Sequence, residues 1–158
     1  MRRFGRPPEK DRRYTLRPGA YAILARGAEM LVTHQMAPWP EFQLPGGGID
    51  AGEHAVPALM RECLEETGWT ITRPRRLGAF RRFTYMPEYD LWAEKLCAIY
   101  LARPARAMGP PREAGHSAVW MPAEVAAEEL AVPGDRHFVA QVFGLPRRSR
   151  RSALTSSW

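Results

Sequence analysis

The chain has 158 residues, 45% of them hydrophobic, enough for one compact domain with a core and an argument against a second full domain. Its net charge of +6 sits at the ends: residues 1–17 hold seven Lys/Arg against two acids and residues 145–158 hold four Arg and no acid, leaving a mildly acidic body of about −3. The basic ends therefore read as solvated termini more than as a nucleic-acid surface, and the absence of any long apolar run argues against a membrane span or a secretory leader.

The opening to about Tyr14 is polar, proline-containing and without period, so residues 1–16 are expected to form a basic arm outside a domain spanning 17–145, with a second basic tail at 146–158. Ala20 to Ala25 make a short apolar run that stops at Arg26 and Gly27, and Met30 to Thr33 resume it, which predicts a hairpin. Gln35 to Phe42 carries Pro38, Trp39 and Pro40 and reads as an irregular loop leading into the glycines of Leu44 to Gly48. From His54 to Thr67, Val56, Leu59, Met60, Cys63, Leu64 and Thr67 gather on one side of a helical wheel, Pro57 lies in the tolerant first turn, and Gly68 ends the helix. Leu77–Tyr85 and Leu91–Leu101 read as strands, Arg103–Arg112 as a basic, proline-rich loop, and Val119–Met121 as a last short strand. Pro122–Leu130 should open a helix, and Asp135 should cap a final one through Phe143. Strands and helices mix without regular βαβ alternation, which predicts a mixed sheet packed between helices. Cys63 and Cys97 sit in apolar surroundings without metal-ligand spacing or a disulfide framework, so a reducing, cytoplasmic setting fits.

The chemistry concentrates between Gly47 and Trp69. Glu62, Glu65 and Glu66 stand at i, i+3 and i+4, so their carboxylates project from one helical face. Three such glutamates alone are ordinarily a solvated acidic face. Here Glu62 and Glu66 fall beside Ala58 and Leu59, at the border of the apolar stripe, and partly desolvated carboxylates need a counter-charge. A hard divalent cation supplies it, because Mg²⁺ prefers carboxylate and carbonyl oxygens together with water and phosphate oxygens. Gly46, Gly47 and Gly48 let the backbone approach a ligand closely.

Gly47, five residues, Glu53, seven residues, Arg61-Glu62-Cys63, one residue, Glu65-Glu66, one residue, Gly68-Trp69 resembles the Nudix box at every fixed position, with Cys63 and Trp69 where the family is usually aliphatic. His54 stands where Ser or Thr often caps the helix, so a weaker cap is expected. Phe42 to Pro45 and Trp120 to Pro122 also look like the family. The resemblance implies an α+β fold, an αβα sandwich with a mixed β-sheet between helices. It also implies a metal-dependent pyrophosphohydrolase that cleaves the diphosphate linkage of a nucleoside diphosphate linked to another moiety. By that resemblance Glu62 and Glu66 are the principal metal ligands, Glu65 a further ligand or water-activating base, the Gly46 carbonyl completes the set, and the ion is Mg²⁺ or Mn²⁺.

Arg61 is expected to support the loop through Glu53. In part of the family a catalytic base comes from a later loop, where Glu113 lies seven residues before Trp120; His116 and Glu94 are rivals, and an ordinary surface role weighs equally for each. Trp39, Phe42 and Tyr85, with Tyr89 and Trp92, are candidates to stack a base, although packing is the more frequent role of any one aromatic ring. The expected partner is a small nucleotide, and family habit adds a homodimer. Two other readings stand beside this one: an RNA 5′ pyrophosphohydrolase whose basic ends hold the RNA, and a nucleotide-binding sensor without catalysis. Sensors of this kind usually lose box carboxylates, and this sequence keeps all of them.

Overall fold

The computed structural model describes residues 1–146; the expected C-terminal arginines, Arg147, Arg148, Arg150 and Arg151, lie outside the described residues. Its elements are β1 (Arg2–Arg3), β2 (Thr15–Arg26), β3 (Glu29–Gln35), β4 (Glu41–Gln43), β5 (Gly46–Gly48), α1 (Ala55–Thr67), β6 (Trp69–Met86), β7 (Leu91–Ala107), β8 (His116–Pro122), α2 (Ala123–Glu129) and α3 (Pro133–Phe143). The sheet is mixed, ordered β1-β6-β7-β2-β3-β4, with β5 on β2 and β8 on β3. β2 runs parallel to β7 from Thr15↔Ala93 to Leu24↔Ala102, while β6 and β7 form a long antiparallel hairpin.

Alternation along β2 sorts the two layers. Ala20, Ala22 and Leu24 face α1, where they pack with Leu59, Cys63, Ile71 and Tyr100. Tyr21 and Ile23 face the other way, into the cluster of Phe80, Ile99, Leu130, Phe138 and Val139 beneath α2 and α3. The result is the αβα sandwich that the mixed pattern of strands and helices predicts.

Several local expectations need correction. The first residues are not an arm outside the fold: Arg2 and Arg3 pair in parallel with Phe80 and Arg81, and the Phe4 ring meets the Phe80 ring edge-on at 5.4 Å. Phe4 packs against the core from a largely polar stretch, and its partial burial ties the segment down. Gln35–Phe42 is irregular only at its tip, because Gln35 and Glu41 already pair. β7 continues through Arg103–Ala107, and its Pro104 falls beside a register shift near Ile71, where a residue without an N–H is tolerated. Asp135 does not cap α3; Val132 occupies the cap, Pro133 the first turn, and Asp135 is buried at 4% exposure. Met60, assigned to the apolar stripe of α1, is exposed.

Candidate active site

β5 and α1 bring the glycines and glutamates together. β5 pairs with β2 through Tyr21↔Gly46 and Gly19↔Gly48, and the Ala22 N–H donates to the Pro45 carbonyl at 2.9 Å. The Gly46 N–H turns the other way and donates to Glu66 Oε2 at 3.0 Å. A Cβ on Gly47 would stand 2.6 Å from the Glu62 carboxyl carbon, so only glycine lets that strand pass so near the carboxylate. α1 starts at His54 without a side-chain cap and ends at Gly68 in the left-handed conformation, φ 75°, which donates its N–H to the Leu64 carbonyl.

Arg61 organises the acidic side chains. Its Nε and Nη2 donate to the two oxygens of Glu53 at 3.0 and 3.1 Å, a two-pronged pair, while Nη1 reaches Glu62 Oε1 at 2.9 Å and Glu65 Oε2 at 3.3 Å. Glu53 Oε2 also accepts the Asp50 N–H, so the loop before α1 is tied to the helix. The Arg61 guanidinium holds the Glu53 carboxyl below its ordinary range.

The late loop arrives through the end of α1. The Glu65 carbonyl accepts the N–H groups of Arg112 and Glu113 at 2.8 and 3.1 Å, and the Gly68 carbonyl accepts that of Met108 at 2.8 Å. Glu113 is thereby placed over the helix face. Ligand atoms from Glu62, Glu65 and Glu113 lie within 4.8 Å of one another, and so do those from Glu66, Glu113 and His116. His116 sets Nδ1 3.0 Å from Thr33 Oγ1 and Nε2 3.6 Å from Glu113 Oε1.

Burial raises the Glu66 carboxyl well above the ordinary carboxylate range, the Gly46 N–H opposing and Glu113, Glu62 and Glu65 adding repulsion; burial also raises Glu62. Hard oxygen donors that repel one another, partly desolvated and matched against a single arginine, fit a divalent cation.

The rivals for the late base separate. His116 joins the cluster, whereas Glu94 lies on β7 and faces Arg81 at 3.4 Å. The aromatic candidates do not form one surface. Tyr85 is on β6 with its hydroxyl on Asp90, and Phe42 is on β4 beside His34, four strands apart, or roughly 19 Å at ordinary strand spacing. Trp39 is exposed at the tip of the β3–β4 loop, with Nε1 on Glu41.

Sequence reasoning missed a second polar group on the opposite face. Tyr21, Gln43, Arg82, Lys95 and Asp135 line a small hollow with Cys97 and Val132. Burial pushes Asp135 up to about 7 against the pull of Arg82 and Lys95, and burial lowers Lys95. The signal was available: Lys95 has the parity of Ala93, Cys97 and Ile99, so it is a charge on the apolar side of its strand.

Comparison with known proteins agrees with this architecture. The NUDIX domain family matches residues 15–142. An 8-oxo-(d)GTP phosphatase of Mycolicibacterium smegmatis is 33% identical over 109 residues, 68% of this chain and 31% of that protein. A second curated relative, from Bacillus subtilis, matches over 50% of its length, so the chain spans half or less of the curated relatives it matches. A MutT NUDIX hydrolase from Burkholderia pseudomallei superimposes with a TM-score of 0.64 at 24% identity, over 81% of this chain and 98% of that one. A MutT protein from Bacillus halodurans gives 0.66 at 21% identity, over 83% and 84%. With the fold, the box and the family match in agreement, the chain belongs to the Nudix family.

Proposed function

We propose that this chain is a metal-dependent pyrophosphohydrolase of small nucleotides, and that an oxidised guanine nucleoside triphosphate is the first substrate to try. The observation that carries the reading is convergence: Glu113, pinned through backbone bonds to the Glu65 carbonyl, meets Glu62 and Glu65 within 4.8 Å, where a diphosphate needs its charge neutralised. The substrate class follows the name of the Mycolicibacterium relative.

Glu62, Glu65 and Glu66, with the Gly46 carbonyl, would hold the cation. A bound divalent cation would offset the phosphate charge and acidify an attacking water. Arg61 holds Glu62 and Glu65 in position from the Glu53 side, and the Gly46 N–H orients Glu66. Glu65 or Glu113, both part-exposed, takes the proton as water oxygen bonds to phosphorus and the bridging oxygen leaves with the departing phosphate.

The test is product release from 8-oxo-dGTP, dGTP, dinucleoside polyphosphates, nucleotide sugars and triphosphorylated RNA, with Mg²⁺, Mn²⁺ or EDTA. The expected outcome is metal-dependent release of nucleoside monophosphate and pyrophosphate from the triphosphates, abolished by EDTA. No turnover on any substrate, with nucleotides still raising the melting temperature, would replace this reading with a nucleotide-binding sensor.

A further inference from the structure

The late loop contributes a nitrogen donor as well as a carboxylate, and its surroundings are those of a ligand. His116 is nearly enclosed, its side chain 12% exposed. Nδ1 is 3.0 Å from the hydroxyl of Thr33, a fully buried residue of β3. With the ring proton on Nδ1, that contact is a hydrogen bond donated to Oγ1, the arrangement by which proteins orient an imidazole whose other nitrogen binds a metal. The other nitrogen, Nε2, then carries a free lone pair and faces Glu113 Oε1 at 3.6 Å. That separation is long for a hydrogen bond and close to the roughly 3.0–3.5 Å between two donor atoms that share one ion at about 2.1 Å each.

Glu66 brings a second carboxylate to the same place. It is 6% exposed, and its Oε2 takes the Gly46 N–H. Its Oε1 stands 3.8 Å from His116 Nδ1. Ligand atoms of Glu66, Glu113 and His116 lie within 4.8 Å of one another, near enough for one ion to gather them.

We propose that Glu66, Glu113 and His116 form a mixed nitrogen–oxygen position for a borderline divalent cation such as Mn²⁺ or Co²⁺, beside the all-oxygen position of Glu62, Glu65 and Glu113. Imidazole binds first-row transition ions better than Mg²⁺, so this position discriminates by ligand type. Thr33 is a positioning residue that acts through the ring.

The proposal rests on the site being a metal site, as in the reading above, but its test involves no turnover. The full chain, freed of metal, is loaded with Mn²⁺ and studied by pulsed electron paramagnetic resonance, and Mn²⁺, Co²⁺ and Mg²⁺ are titrated calorimetrically. Wild-type protein should show ¹⁴N coupling from one imidazole to bound Mn²⁺. His116→Gln should abolish it and weaken Co²⁺ binding by about tenfold or more, with Mg²⁺ affinity changed by less than about threefold. Thr33→Val, close in shape, should reduce the coupling and weaken Co²⁺ in the same sense. Absence of ¹⁴N coupling in metal-loaded wild-type protein overturns the proposal whatever the variants do, and so does Co²⁺ affinity unchanged in folded His116→Gln. Metal binding with ¹⁴N coupling but no hydrolysis would sink only the pyrophosphohydrolase reading.

Discussion

At the scale of single residues, two buried carboxyls behave differently because their partners differ. Glu66 is desolvated against other carboxylates, whereas Asp135 is desolvated beside Arg82 and Lys95. Glu66→Gln keeps the shape and removes the charge, so turnover should fall by about 100-fold or more, equivalent to about 3 kcal/mol of barrier; retention within about tenfold would remove Glu66 from the metal set. Asp135 gives a pH signature instead. Its folded pKa, about 7, is raised above the ordinary 3.8, so the folded state holds the proton more tightly than the unfolded chain. The stability it contributes is full below about 3.8 and is lost as pH rises through about 7. Urea midpoints should show wild-type stability falling between those values relative to Asp135→Asn, by an amount on the order of a few kcal/mol. Parallel pH profiles would mean that the carboxyl is not held in its neutral form.

At the scale of elements, two glycines carry different loads. A methyl group at Gly47 would meet the Glu62 carboxyl, the movable end of a side chain. Gly47→Ala should therefore displace a ligand more than it unfolds the protein, with metal affinity down about tenfold and a melting temperature within a few degrees of wild type. At Gly68 the same methyl group would stand 1.9 Å from the Gly109 carbonyl oxygen, on backbone with positive φ. Gly68→Ala should cost about 2 kcal/mol or more and lower the melting temperature by several degrees, because neither α1 nor the late loop can give way. The end of α1 was legible from the glycine, but its contact with Gly109 was not, since that contact joins segments 41 positions apart.

At the scale of the whole molecule, the N-terminal segment closes one edge of the sheet. β1 covers β6, and Phe4 packs against Phe80 and against His137 of α3 at 5.2 Å. Phe4→Ala should destabilise by about 1–2 kcal/mol, seen as a melting temperature lower by a few degrees, while kcat/KM on a nucleotide stays unchanged. A matching loss of activity would mean that this edge reaches the site. Among the described residues no helix is long and apolar enough to cross a membrane.

The sequence by itself determined the layered architecture, the first hairpin, the span of α1 and the helix carboxylates, because each is written in a local period or in a box of 23 consecutive residues. Tertiary structure decided the rest. Glu113 and His116 reach the helix only through backbone bonds at the end of α1 and a hydroxyl on β3. The aromatic candidates were separated by strand order, and Asp135 moved from a cap to a buried charge cluster because Pro133 starts α3 two residues earlier. Such long-range pairings depend on which strands neighbour one another, and no local pattern encodes that.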